Sequence, residues 1–387
     1  MRFLLVTPHT VPDFSGSGIN AFNFARYLVK KGEKVRLLSL NRNLVMKRSE
    51  TKEGVKIRRL LYLNRIGFLK GFSLLFILPG YFIYAAGSDV VVIYGGRLIA
   101  WELLIVFSKM LRKKVIFQSL LNNVDDLGAI ISSKPALFRD FYKWIFRKTD
   151  VYHALNNYMN KEFLRFVPDE SRVLLSPQGV DTGTFSPVSE KEKEDIRDRI
   201  GLERDRLVII TIGSLVSRKG YEEMFRIIAG LDFHCQLVVA GEHEFNIGHF
   251  LRRENTYARN LIQAAQELSG NKIVFMGGVS NIADYIKASD IALFNSGKEG
   301  LPNSVLEVMA CGIPPVMREY PGMDGYFFHD RQNALIFQEA AGMVHCVRML
   351  CKDRALREQI GSASRASVEQ EASFEIVLKK YREKLHY

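Results

Sequence analysis

Cysteine is scarce in this chain, four of 387 residues (Cys235, Cys311, Cys346 and Cys351). Their spacing matches no metal site, and so few exclude a disulfide-stapled scaffold and suit a reducing compartment. The N-terminal segment MRFLLVTPHT has too short an apolar run for a secretory leader. Internal repeats and low-complexity tracts are missing, which excludes a solenoid or a disordered chain. No Asp-x-Asp pair is placed to hold a metal, and no nucleic-acid-binding motif accompanies the basic residues. Hydrophobic residues supply 47% of the chain and charged residues 25%. That is the composition of a soluble globular enzyme, and the length suggests two or three domains of ~150 residues.

Charge is unevenly placed. Residues 1–186 hold 28 Lys and Arg against 14 Asp and Glu, while the remainder holds 26 against 28. The whole net charge of +12 therefore comes from the first half. A basic half beside a near-neutral one points to an anionic partner such as a membrane surface, a phosphorylated lipid or an acidic glycan.

The pattern of elements is α/β. Phe3–Thr7 reads as a buried strand, followed by a loop containing Gly16, Ser17 and Gly18, and by a helix over about Asn20–Lys31 that Gly32 stops. Val35–Leu38, Val90–Ile93 and Val115–Phe117 read as further buried strands. The pattern restarts after residue 187, with strands at Leu207–Ile212, Leu237–Gly241, Ile273–Gly277 and Ile291–Phe294 and a helix from about Asn303 to Cys311. Two doubly wound units in series follow, with a hinge near Ser186–Ser189 before the charged run Glu190–Arg199.

The stretch from Glu299 to Pro314 carries the most chemistry. Two glutamates are separated by seven residues, Glu299 in a Gly-rich loop and Glu307 within the following helix. A helix N-terminus offers backbone N–H groups and a partial positive charge to a phosphate or a sugar. Taken alone, both glutamates read first as favourable first-turn charges on a surface helix.

The neighbouring segments extend the pattern. Pro177-Gln178-Gly179-Val180-Asp181 through Phe185-Ser186-Pro187, then Gly213–Gly220, Val274–Gly277 and Ala288–Asp290, precede the two glutamates in order. Together these five pieces resemble the family-4 retaining glycosyltransferases, also called glycosyl transferases group 1, across roughly residues 175–340. The resemblance implies the GT-B fold: two Rossmann-like domains facing across a cleft. Here these would be residues 1–186, an acceptor-binding domain carrying a C-terminal helix at 370–387, and residues 187–369, a nucleotide-sugar-binding domain.

Position by position, the resemblance implies that Arg218 and Lys219 clamp the donor diphosphate, two cations neutralising the leaving group's developing charge without a metal. Glu307 would bind the nucleotide ribose. Glu299, with Gly300, Leu301, Pro302, Asn303 and Ser304, would hold the sugar. Gly241 and Val279 would border the base. Gly16 and Gly18 would let the first loop approach the diphosphate. Asn122, Asp125, Asp126 and His9 are candidate contacts for acceptor or sugar. The only cofactor-like requirement is the substrate, a UDP- or GDP-sugar ranked first, with no metal. Two departures stand out. Ser214 occupies a position where many relatives carry arginine, and the segment Gln118–Asp126 lacks the histidine that many relatives carry there.

Two aromatic stretches add to the basic first half. Residues 68–86 hold a single charge, Lys70, over 19 residues, and Pro79-Gly80 is expected to break any helix there. An ordinary buried helix ranks first for this stretch, an interfacial one second and a spanning one last. Residues 136–148 read as an amphipathic, core-facing helix. The expectation is a cytoplasmic enzyme, peripheral on the inner face of a membrane, transferring sugar to a lipid-linked or polysaccharide acceptor in cell-envelope glycan synthesis. The competing readings are a non-catalytic nucleotide-sugar binder, a membrane-associated subunit, and a sugar-nucleotide epimerase of the same fold.

Overall fold

The computed structural model describes all residues except 12–15, 42–46, 63–68, 97–100, 242, 243, 248–250, 255, 270, 271 and 324. Short, nearly unbroken apolar runs in the first part of the chain become one eight-stranded sheet. Its strands are β1 (Arg2–Val6), β2 (Lys34–Asn41), β3 (Ser49–Lys52), β4 (Val55–Leu61), β5 (Val90–Tyr94), β6 (Lys114–Gln118), β7 (Val151–Ala154) and β8 (Val173–Leu175). They lie in the order β3-β4-β2-β1-β5-β6-β7-β8. All pair in parallel except the edge pair β3 and β4. All five residues of β5 are buried. A parallel strand covered by helices on both faces needs such continuous apolar sequence.

The second part of the chain adds β9 (Leu207–Ile212), β10 (Cys235–Ala240), β11 (Glu244–Ile247), β12 (Leu251–Glu254), β13 (Ile273–Gly277), β14 (Ile291–Phe294), β15 (Pro315–Arg318) and β16 (Leu335–Phe337). Six of these form a sheet in the order β13-β10-β9-β14-β15-β16, parallel throughout, while β11 and β12 pair separately.

Two compact units result, one of Met1–Gly179, Asn246–Arg252 and Phe374–Tyr387, the other of Val180–Phe245 and Arg253–Ser373. The change-overs fall at Gly179/Val180 and Ser373/Phe374, where the expected divisions were 186/187 and 370. Backbone pairing explains the positions: Val180 N donates to Ala372 O at 2.9 Å, and Arg365 Nη1 donates to Phe185 O at 2.8 Å. Residues 180–185 are thereby tied to the second unit. The last helix, Phe374–Leu385, belongs to the first. It buries Phe374, Val377, Leu378, Tyr381 and Leu385, one helical stripe, in the core that includes Phe24 and Leu28.

Three expectations are corrected here. The helix after β1 begins at Gly16, so Gly16 and Gly18 form its first turn rather than a loop. A Cβ on Gly18 would stand 2.6 Å from His9 O, so glycine serves the close passage of the His9–Thr10 backbone. The helix Leu69–Ala86 runs through Pro79 instead of ending there. Pro79 is exposed, so water can take over the hydrogen bond that its missing N–H gives up. Phe68 lies outside the described residues; further along, Ile77, Tyr81 and Ala85 turn into the unit, and Tyr81 Oη donates to Leu104 O at 3.1 Å. Among the described residues no helix is long and apolar enough to cross a membrane. The third correction concerns Ala136–Phe146. Only Ile145 and Phe146 of this helix are buried, while Leu137, Phe138, Phe141 and Trp144 are exposed.

The charged run becomes the helix Glu190–Ile200, capped by Ser189 and stopped by Gly201 in the left-handed region at φ 74°. Asp290 anchors it: its carboxylate accepts from Lys193, from Arg197 Nη2 at 2.7 Å and from Val208 N at 2.8 Å. Burial alone would raise this carboxyl, but the Lys193 and Arg197 charges outweigh it and hold it below its usual range. Its stabilising contribution is therefore present above the ordinary value of 3.8 and lost as pH falls below it. Asp290→Asn should cost about 3 kcal/mol, since two basic groups lose their buried partner. A urea titration at pH 7 measures this, and a loss under 1 kcal/mol would contradict it.

Candidate active site

The site is built in the second unit from loops that leave the C-terminal ends of β9, β10, β13 and β14, the usual ligand edge of a doubly wound sheet. After β9 the chain turns at Gly213, whose φ of +148° favours glycine. Its carbonyl accepts from Tyr221 Oη at 2.7 Å. Gly241, at the end of β10, packs so tightly that a Cβ would lie 1.9 Å from Gly213 O. Ser217–Lys219 form a single 3₁₀ turn, and Gly220 at φ +64° feeds the helix Tyr221–Ala229.

This turn delivers Arg218 and Lys219 to one carboxylate. Glu299 Oε1 accepts from Arg218 Nη1 at 2.8 Å, from Lys219 Nζ at 2.6 Å and from Ser296 Oγ at 2.6 Å. Burial pushes the Glu299 carboxyl upward, but the Lys219 and Arg218 charges, with hydrogen bonds from Lys219 and Ser296, bring it below its usual range. The three charges carry a net +1 in a partly enclosed place. Arg218 Nη1 also donates to Lys298 O at 3.0 Å, and Gly297 N donates to Arg218 O at 3.0 Å, locking the two loops together.

Gly300, Leu301 and Pro302 lead into the helix Asn303–Ala310. Pro302 occupies its cap position and has no side chain able to cap it. The Gly300 carbonyl accepts from Tyr320 Oη at 3.3 Å. Ser304 lies in the first turn. Glu307 sits one turn further on, outside the Arg218–Lys219–Glu299 cluster. It keeps some solvent contact, while the surrounding protein pushes its carboxyl up to about 8 from an ordinary 4.5. Val279 follows β13, half-buried, beyond Gly277, whose carbonyl accepts from Gly241 N at 2.9 Å.

Three of the first-unit candidates make hydrogen bonds within that unit. Asp125 is buried and its Oδ1 accepts from Leu120 N and Leu121 N, both at 2.9 Å; burial raises its carboxyl to about 6. Asp126 caps the helix Leu127–Ser132 through Ala129 N at 2.9 Å. Asn122 Oδ1 accepts from Asn156 Nδ2 at 3.1 Å. These three residues are buried, and His9 is half-buried.

Sequence reasoning missed Ser296 and the polar support beneath the turn. Asn295, buried, donates to Gly220 O at 2.8 Å and to Glu223 Oε2 at 2.9 Å, and Arg318 reaches Glu223 at 3.4 Å. Only the position of Ser296, three residues before Glu299 at a strand end, signals this in the sequence.

Residues 192–367, which hold the whole cluster, match the model of the family described as glycosyl transferases group 1. This stretch is a group 1 glycosyltransferase domain. Mannosylfructose-phosphate synthase of Agrobacterium fabrum is 28% identical to the chain over 155 residues, 38% of this chain and 32% of that protein. The lipopolysaccharide core biosynthesis glycosyltransferase LpsE of Rhizobium meliloti is 23% identical over 188 residues, 48% of this chain and 51% of its own length. The curated relatives are matched over about a third to about three fifths of their own length. The sucrose-phosphate synthase of Thermosynechococcus elongatus superposes with a TM-score of 0.76 at 19% identity, covering 100% of this chain and 99% of its own. Anabaena HepE, solved with UDP and glucose, gives 0.75 at 15%, with the same coverage. The glycosyltransferase domain thus belongs to a chain whose two parallel-sheet units have the GT-B fold.

Proposed function

We propose that the protein moves a sugar from a nucleotide-diphosphate donor to an acceptor hydroxyl with retention at the anomeric carbon. The observation that carries this reading is the convergence of Arg218, Lys219 and Glu299 beside the entry to the helix Asn303–Ala310. The diphosphate takes the two cations from Glu299, and the freed carboxylate turns to the sugar hydroxyls. The bond from the anomeric carbon to the diphosphate oxygen breaks, the acceptor oxygen bonds to that carbon from the same face, and the acceptor proton passes to the departing diphosphate. Arg218, Lys219 and the helix N-terminus stabilise the negative charge that develops there, so the reading calls for no metal. Glu307 receives the ribose, and Gly241 and Val279 border the base, UDP or GDP in the first place.

The acceptor is a lipid-linked or polysaccharide hydroxyl of the cell envelope, met by a protein peripheral to the cytoplasmic face of a membrane. The basic first unit and the likeness to LpsE support this. A thermal-shift series over UDP-, GDP-, ADP- and CMP-sugars tests the donor. At a hundred times Kd a ligand adds ~2.7 kcal/mol, which for a domain of this size raises Tm by roughly 5–10 °C. A flat response to all four sinks the reading. The histidine missing from Gln118–Asp126 favours a second reading, a nucleotide-sugar binder without turnover. Release of nucleotide diphosphate from the donor that shifts Tm, with or without acceptor, would eliminate it.

A further inference from the structure

The most exposed large apolar side chains of the described residues are Ile83, Met110, Leu137, Phe138, Phe141, Trp144, Leu268 and Tyr387. Four of the eight stand on the single helix Ala136–Phe146. Leu137, Phe141 and Trp144 recur at helical spacing and form one stripe, with Phe138 at its edge. They are 86%, 44%, 41% and 50% exposed, taken as Leu137, Phe141, Trp144 and Phe138. The rings of Phe141 and Trp144 stack 5.8 Å apart, so the stripe is preformed. A soluble surface rarely gathers such side chains in one place without something to cover them.

The charges around the stripe identify what covers it. Between Lys134 and Lys148 the chain carries Lys134, Arg139, Lys143, Arg147 and Lys148 against Asp140 alone. Arg139, Arg147 and Lys148 are exposed. Lys148 Nζ stands over the Trp144 ring at 5.2 Å, placing a cation beside the aromatic at one level. Lys143 is held by Asp140 at 2.8 Å and Lys134 lies near Glu102 at 3.8 Å, so the outward cations are Arg139 in the first turn and Arg147 and Lys148 at the helix end. Exposed aromatics edged by exposed positive charge match an acyl–headgroup boundary with anionic lipid, where rings enter the interface and cations meet phosphates.

We propose that the helix Ala136–Phe146 docks the first unit on an anionic lipid bilayer. The proposal deepens the lipid-linked acceptor reading and rests on it for its purpose, namely to hold the enzyme where such an acceptor lies. The rest of the first unit keeps its packing, because Ile145 and Phe146 face inward and the docking stripe faces out.

The test uses the full chain and vesicles of phosphatidylcholine with 30% phosphatidylglycerol (about one lipid in three), compared with phosphatidylcholine alone. Trp101 is buried and Trp144 is exposed, and the sequence has no other tryptophan, so emission reports on the helix. The expected results are co-sedimentation with the anionic vesicles at least tenfold above the neutral ones, a blue shift of tryptophan emission, and quenching by brominated acyl chains. The variant L137S/F141S/W144S should lose at least tenfold in vesicle binding, and R139E/R147E/K148E should lose the preference for anionic vesicles. Equal binding by wild type and the serine variant overturns the proposal, as does a dimer of wild type that the serine variant abolishes while vesicles stay unbound. Donor-induced thermal shift, measured on the same samples, separates the two claims. Loss of vesicle binding with donor binding intact removes the docking surface alone; absence of donor binding in wild type that still binds vesicles removes the transfer reading alone.

Discussion

Lys219→Ala should lower kcat/KM for sugar transfer by about 10²–10³-fold, or ~3–4 kcal/mol of transition-state stabilisation. The reason lies in where the ammonium stands. Its side chain is 14% exposed and its Nζ is 2.6 Å from a carboxylate that is itself buried. A charge in a partly enclosed site acts on a developing anion far more strongly than one in water. Arg218, 44% exposed, is better screened, so Arg218→Ala should cost roughly tenfold. Lys219→Arg should recover part of the loss, because the charge returns while the reach changes. Transfer assays with the donor that stabilises the protein measure the order. A Lys219→Ala variant as fast as wild type would remove the diphosphate clamp from the mechanism. Unfolding of the variant in denaturant without nucleotide guards against a folding artefact, since Arg218 and Ser296 still hold Glu299.

The sheets were legible because parallel strands buried on both faces must be continuously apolar, and Val90–Tyr94 or Leu207–Ile212 can serve as little else. The convergence of Arg218, Lys219 and Glu299 was legible only through motif order, since their meeting depends on strand order in the sheet, where β9 and β14 are neighbours although far apart in sequence. Three local misreadings have separate physical causes. Gly16 and Gly18 signal a flexible loop by propensity, yet the close passage of the His9 backbone makes glycine the right choice at Gly18 inside a helix. Pro79 signals a helix end, yet an exposed proline leaves a carbonyl that water can satisfy. Ala136–Phe146 has the amphipathic period of a core-facing helix, and period alone cannot tell which way the apolar stripe points. Asn122, Asp125 and Asp126 have a structural part that sequence alone does not show. Polar residues after a strand suggest a ligand contact, and here Asp125 Oδ1, Asp126 Oδ1 and Asn122 Oδ1 also accept from backbone amides and Asn156.

Glu307→Gln should make the protein more stable than wild type at alkaline pH and abolish a slope in its stability curve. The Glu307 carboxyl is raised to about 8 in the folded chain against 4.5 ordinarily, with burial as the cause. The folded state therefore binds the proton more tightly than the unfolded state. The stabilising contribution is complete below 4.5, declines as pH rises through about 8, and is gone above it. A fully enclosed group would give ~1.4 kcal/mol per pH unit over that range. Glu307 keeps some solvent contact, so the expected total is about 3 kcal/mol. Glutamine cannot ionise, so the difference between variant and wild type should grow from pH 5 to pH 8 and then level off in urea titrations. The same equilibrium marks the ribose site. A ribose diol donates to an ionised carboxylate, so donor binding at pH 7 should expel up to about one proton from wild type and fewer from Glu307→Gln, read by calorimetry in buffers of different ionisation enthalpy. Parallel stability curves would show that the carboxyl is not buried in its neutral form, and equal proton release would place the ribose elsewhere.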